Sequence, residues 1–378
     1  MATVLAPRKA ATPRPAAARL QVRRARSLDE VDAWEPAWRD LQADASAPTE
    51  HFDWTRACLA AFPVGVVPHV VSVFARERLV ALAPLVKKRL HGVCRLFSAG
   101  VAELNEPTDI VGCDERALLK LLRAIVCAGC PAIFERMPAD SPCLPALRRA
   151  ARWRAIVQTR PHAACPYIEL DEHWLEPELQ LDFAPRDTLA QARRAADQLG
   201  AVATEIHAPD LSELPTTLDA AFELFNQRGE LFDERGAHGA RQADDPQRAV
   251  FYRRYARAAC EAGLLRVCFL RIGDVLAAAQ LAVEQAGAFW LLRQGSDPHF
   301  AGCAPELLLT RDTIRYAAES GLARYEFLNS ADEWSATWTR RRHPCVECRV
   351  YPLGMRGMAA LVADCAAAWI ERWRHVGQ

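Results

Sequence analysis

The sequence predicts a mixed α/β (α+β) fold, with strands and helices interleaved and the same unit built twice. Three observations point there. Between positions 264 and 293 the apolar runs LLRVCFLRI, VLAAAQLAV and AFWLLR are separated by the turns Ile272-Gly273-Asp274 and Gln285-Ala286-Gly287, the pattern of consecutive antiparallel strands. A polar loop, QGSDPHFAGC, then leads into a helical pattern opened by Pro305 and stopped by Gly321, and into a further strand, LARYEFL. Proline suits the first helical position because its missing N–H would have no partner there, and glycine suits the stop. Finally, a weak copy of the same order occupies residues 70–136.

Composition bounds the function. A chain of 378 residues with 51% hydrophobic content buries a large core, and its length suggests two domains. Lys+Arg and Asp+Glu balance at 47 each, so no overall field draws the protein to nucleic acid. No apolar run approaches the ~20 residues that span a bilayer. Thirteen cysteines, odd in number and scattered, do not form a compact disulfide framework and suggest a cytoplasmic location.

In chain order, residues 1–20 are rich in Ala, Pro and Arg, with no acid before Asp29, which predicts a disordered basic tail. Leu28, Val31, Trp34, Trp38 and Leu41 then recur at helical spacing, with Ser27 and Glu30 as a capping box. Phe52, Trp54, Cys58 and Leu59 mark a second helix, whose aromatics are either a ligand platform or core. The first copy follows, as VVSVFARERLVALAPLVKK (70–88), VCRLF (93–97), a helix over 114–128 and the strand AIFER (132–136). Residues 148–182, punctuated by Pro161, Pro166 and Pro177, are expected to cross between the halves. Helices are expected over 187–199, 211–228 and 245–262. Between the last two lies the long polar stretch 228–245, a lid or acceptor-contact segment. CVECRVYPL (345–353) suggests a last strand and 359–375 a closing amphipathic helix. The expected division is a tail (1–20), a first degenerate unit (21–165), a second unit carrying the site (166–355) and a C-terminal helix (356–378).

Asp297-Pro298, Pro305 with Leu307-Leu308-Leu309, Glu319-Ser320-Gly321, and Phe327-Leu328 with Trp338 resemble the CelD/BcsL-like branch of the GNAT acetyltransferase superfamily. The duplication resembles the tandem GNAT-like fold of FemABX relatives, two mixed sheets flanked by helices. This resemblance implies acetyl-CoA or another acyl-CoA as co-substrate and no metal. It places the cofactor groove along Leu292 and Arg293, the loop residues Gly302, Cys303 and Ala304, and the helix start Pro305, Glu306 and Leu307. Helix N-termini attract phosphates through unpaired amides and the helix dipole. The chain departs from the family at Glu306, where relatives carry glycine, and at Ser330, Trp334 and Ser335, where they carry Gly, Tyr and Lys.

Catalytic candidates are Glu326, where relatives often have an acid, together with Asp297 and His299. Asp297 either positions an acceptor or makes an Asx-turn before Pro298. His299 is either a base or a solvated loop side chain. The run Arg340-Arg341-Arg342-His343 either reaches a nucleotide phosphate or is a solvated turn. The pairs Cys127/Cys130 and Cys345/Cys348 have metal-like spacing, but residues three apart on a strand face opposite ways. The expected function is an acyl-CoA-dependent N- or O-acyltransferase acting on a small-molecule, saccharide or amine acceptor. The resemblance further implies a link to cellulose or exopolysaccharide synthesis. The alternatives are an impaired GNAT-fold binding or assembly protein and a FemABX-like aminoacyl transferase.

Overall fold

The structure, a computed structural model, describes residues 19–45, 47–231, 246–328 and 333–376. The expected tail up to residue 18, positions 232–245 of the expected lid, and Ser330 lie outside the described residues.

Fifteen strands are described: β1 (Leu20–Ala25), β2 (Val67–Pro68), β3 (Val70–Ala75), β4 (Arg78–Ala83), β5 (Leu85–Leu90), β6 (Val93–Ser98), β7 (Val111–Gly112), β8 (Ala132–Pro138), β9 (Ala155–Glu169), β10 (Val202–His207), β11 (Leu265–Ile272), β12 (Val275–Gln285), β13 (Ala288–Ser296), β14 (Arg324–Glu326) and β15 (Arg342–Pro352). They form two sheets flanked by helices: a four-stranded one, β1-β3-β4-β7, and an eleven-stranded one, β10-β11-β12-β13-β14-β9-β15-β8-β6-β5-β2.

The internal repeat is visible in the pairing. In each half an antiparallel strand is followed by a helix and then by a strand parallel to it. β6 joins β8 through Leu96↔Ala132 and Phe97↔Ile133, and β13 joins β14 through Ala288↔Arg324 to Trp290↔Glu326. The copies differ at Pro84. LVALAPLV, which reads as one strand, is cut there into β4 and β5, and the two pieces belong to different sheets. Proline has no N–H for a ladder, so a change of sheet falls naturally at that residue.

Two expectations from local pattern change. The helical stripe from Leu28 to Leu41 is broken into Leu28–Asp32 and Glu35–Leu41, with Pro36 in the first turn of the second helix. The Ser27 hydroxyl accepts from the Glu30 amide at 3.3 Å, as a capping box requires, while the Glu30 carboxylate reaches the Arg26 amide. The proline-punctuated crossing at 148–182 contains a 15-residue strand, β9. Its prolines are tolerated because β9 has β15 along one edge, while the other edge meets β14 only at Tyr167–Glu169. A proline at 161 therefore sits beside an open edge.

The core lies on both faces of the sheets. Phe52 and Trp54 are 1% and 3% exposed and pack edge-on against Trp38 and Phe251 at 5.6 and 4.8 Å. They are core residues. The helix Pro305–Glu319 is pinned over β12–β14 by a buried polar network. Gln280 donates to Thr310 Oγ1 at 2.7 Å and accepts from Thr313 Oγ1 at 3.0 Å, and Thr313 meets the Tyr325 hydroxyl at 3.0 Å. A network with every member bonded fixes the register of helix on sheet, since any slip strands a buried polar atom.

Candidate active site

The site begins where two parallel strands part. β13 and β14 are paired over Ala288–Trp290 and Arg324–Glu326; there the pairing ends, while β13 runs on to Ser296. Leu328, at φ 52°, turns the chain just past β14. The β14 side of β13 from Leu291 to Ser296 is therefore without a strand partner among the described residues.

Behind this edge stands the helix Leu214–Leu231. Gly295 is required there: a Cβ would lie 2.8 Å from both the Leu224 carbonyl oxygen and Phe225 Cα. The Arg293 guanidinium sits over the rings of Phe225, Tyr252 and Phe222 at 5.0, 5.4 and 5.5 Å. Tyr252 donates its hydroxyl to the Leu292 carbonyl at 3.3 Å. Burial pushes that phenol up to about 12, so it remains protonated as a donor.

The loop and helix start expected to cradle a diphosphate are built differently from an open amide nest. Gly302 is exposed and Cys303 buried. Ala304 is the N-cap in left-handed backbone, φ 41° and ψ 58°, with no side-chain cap bond. Pro305 supplies no N–H, and the amides of Leu307 and Leu308 both donate to the Ala304 carbonyl, at 3.0 and 3.3 Å. The Glu306 carboxylate reaches across the loop and accepts from Ser296 Oγ at 3.2 Å. These residues fit a diphosphate poorly, since an acidic side chain already takes the favourable position at the positive end of the helix.

Asp297 caps its own short helix, Pro298–Cys303, accepting from the His299 amide at 2.9 Å. His299 Nδ1 lies 2.7 Å from the same carboxylate, with its ring 90% exposed. Glu326 is 2% exposed and stands at the end of β14. Tyr325 and Phe327 point to the core under the helix Pro305–Glu319, while Leu328 joins the opposite core, so strand alternation holds.

The partner that sequence reasoning did not assign to Glu326 is His343. Its Nε2 lies 3.3 Å from the Glu326 carboxylate, with Arg324 at 3.6 Å on the same group. The His343 ring stacks on Tyr167, centroids 3.8 Å apart at 13°, and its side chain is 41% exposed. Glu326 faces Tyr167 across β14–β9, and His343 faces Cys165 across β15–β9. Three strands thus bring together a buried acid and a half-exposed imidazole. Chemically this pair can take a proton at the imidazole and balance the resulting charge with the carboxylate. Beneath it, Cys165 and Cys345 place their sulfurs 3.7 Å apart, with the buried Arg136 donating to Cys165 at 2.9 Å.

The other cysteine spacings do not converge. Cys127 is exposed while Cys130 is buried and donates to the Cys94 carbonyl. Cys345 faces Cys165, whereas Cys348 lies by Thr159. Among the described residues no group of three or more His, Cys, Asp or Glu is arranged to hold a metal ion, and no helix is long and apolar enough to cross a membrane.

Residues 185–336 match the family described as acetyltransferase (GNAT) domain. No curated protein matches the sequence. Among solved structures, FemX is similar over 91% of this chain and 100% of its own, at 12% identity and TM-score 0.56. A conserved protein of unknown function from Bacteroides thetaiotaomicron is similar over 87% of this chain and 99% of its own, at 11% identity and TM-score 0.54. L-PGS from Bacillus licheniformis is similar over 89% of this chain and 96% of its own, at 10% identity and TM-score 0.51. At such identities the likeness is one of fold. Residues 185–336 thus match an acetyltransferase (GNAT) domain, in a chain whose fold is tandem GNAT-like.

Proposed function

We propose that the protein is an acyl-CoA-dependent acyltransferase, moving an acyl group to an amine or hydroxyl of a small-molecule or saccharide acceptor. The observation that carries this reading is the parting of β13 from β14 after Trp290 and Glu326, which leaves backbone N–H and C=O groups along an edge where an extended donor arm can pair. His343 takes the proton from the attacking amine or hydroxyl as that group bonds to the thioester carbonyl and the thiolate departs. Glu326 holds the imidazole and offsets the charge it gains. Tyr167 keeps the ring in plane. No step is assigned to the diphosphate of the donor, because Glu306 stands at its expected place. A connection to exopolysaccharide synthesis, which rests on the sequence resemblance alone, and a cytoplasmic location, which rests on the thirteen scattered cysteines, belong to the same proposal.

Titration calorimetry with acetyl-CoA and longer acyl-CoAs tests it, on the wild type and on Glu306→Gly. Removing a carboxylate from a helix N-terminus is worth ~0.3–1 kcal/mol to a competing anion, so the variant should bind about twofold to fivefold more tightly. Binding to neither protein would sink the transferase proposal and favour the second reading, a GNAT-fold binding module. The specific observation behind that second reading is the Glu306–Ser296 contact.

A further inference from the structure

Outside the strands just described, the start of β1 and the flank of the helix Glu115–Val126 form an open cavity of about 370 Å³, lined by Arg19, Leu20, Arg116, Leu119, Lys120 and Arg123. Its floor is two half-buried leucines, and its rim is four exposed cations. Among the described residues no carboxylate lines it. Among the described residues none of the four cations is in an ion pair.

The charges of the chain balance overall, so this cluster is a local excess of positive charge. Some surface arginines elsewhere do have a carboxylate beside them: Arg39 has Glu35 and Asp53, Arg56 has Asp32, Arg193 has Asp197 and Arg257 has Glu261. The two acids at the start of the helix are used in other ways. Asp114 caps the helix through the Ala117 amide at 2.7 Å, and Glu115 pairs with Arg149 of the neighbouring helix. What remains on the helix is Arg116, Lys120 and Arg123, at steps of four and three, where like charges repel. Arg19 adds a further positive charge from just before the strand. The Arg24 guanidinium holds strand to helix by donating to the Ala124 carbonyl at 3.4 Å. Repulsion of this kind is relieved by a shared anion, and guanidinium forks with an ammonium suit phosphoryl oxygens.

We propose that this cavity is a binding site for a phosphate-bearing ligand, held by Arg19, Arg116, Lys120 and Arg123 over Leu20 and Leu119. The phosphate belongs either to a soluble molecule or to an anionic lipid headgroup, and both present the same chemistry to the rim.

The test compares the full chain with the triple variant Arg116→Gln/Lys120→Gln/Arg123→Gln. These side chains are exposed, so the variant should unfold at the wild-type midpoint. Calorimetry with inorganic pyrophosphate at low salt is one arm. Co-sedimentation with phosphatidylcholine vesicles, with and without phosphatidylglycerol, is the other. The expected result is binding in at least one arm that falls tenfold or more in the triple variant and weakens with salt. Loss in the pyrophosphate arm alone identifies a soluble phosphate ligand. Loss in the phosphatidylglycerol arm identifies a headgroup. If the wild type binds neither, or if the variant binds as tightly as the wild type, the proposal is overturned. The charge-conserving variant Arg116→Lys/Arg123→Lys, which keeps the rim charge but loses two guanidinium forks, should bind more tightly than the triple variant and more weakly than the wild type.

Discussion

Burying the Glu326 carboxylate at a strand end costs solvation unless donors meet it, and here Arg324 and His343 do, at 3.6 and 3.3 Å. The two members of the acid–imidazole pair should therefore respond differently to substitution. Replacing the proton acceptor by His343→Gln is expected to lower kcat about 10²- to 10⁴-fold with little change in KM. Glu326→Gln leaves the imidazole in place without its counter-charge, so its loss should be smaller and confined to kcat. Steady-state rates with a fixed acyl-CoA and a responsive acceptor check both. Asp297 and His299 serve as an internal control. Their mutual contact at 2.7 Å closes a surface turn, and His299→Gln should leave the rate within about twofold of wild type if the proton moves through His343.

Among the elements, the close approach of the helix Leu214–Leu231 to β13 leaves no room for a side chain at Gly295. Gly295→Ala would push a methyl to 2.8 Å from the Leu224 carbonyl and Phe225 Cα, so the helix must shift. We expect a destabilisation of ~1–3 kcal/mol, read from urea unfolding, together with weaker donor binding as the edge is displaced. This contact was not legible in the sequence, where Gly295 reads only as part of a polar loop. The strands β11–β13 and the helix Pro305–Glu319 were legible, because their turns and period are written locally in Gly273, Gly287, Pro305 and Gly321. β9 was hidden by Pro161 and Pro166, which argue against a strand unless one edge is known to be open. His343 was visible only as part of a basic run. Its neighbours Cys165 and Tyr167 lie far upstream, and no local pattern encodes a pairing of that separation. The Gln280–Thr310–Thr313–Tyr325 network was likewise invisible, since each residue alone is ordinary.

On the scale of the whole molecule, stability should depend on pH through two buried groups. Burial, with Lys87, Arg24 and Arg26 nearby, pushes the His69 imidazole down to about 4. The folded state then binds fewer protons than the unfolded chain, whose histidine titrates near ~6.5. Stability is lost as pH falls from there towards 4, and His69→Gln should flatten that window. Asp364 behaves as a depressed acid. Burial alone would raise it, but Arg95 at 2.6 Å, the Tyr351 hydroxyl at 2.7 Å and His91 hold its carboxyl well below the usual carboxylate range. Its contribution is present above about pH 3.9 and is lost below it. Thermal unfolding across pH 3–8 measures both. Asp364→Ala should cost ~3–5 kcal/mol at neutral pH, because Arg95, 0% exposed, is left as an uncompensated buried charge.

β15 lies between β8 and β9, and the helix that follows it, Met355–Val376, is clamped to Arg95 through Asp364. During vectorial synthesis β8 and β9 leave the ribosome long before the segment that zips them together. The nascent chain must carry two unsatisfied ladders through most of translation, a natural target for chaperones. A fragment released at residue 340 should accordingly aggregate or be proteolysed, even though it contains every helix of the first repeat.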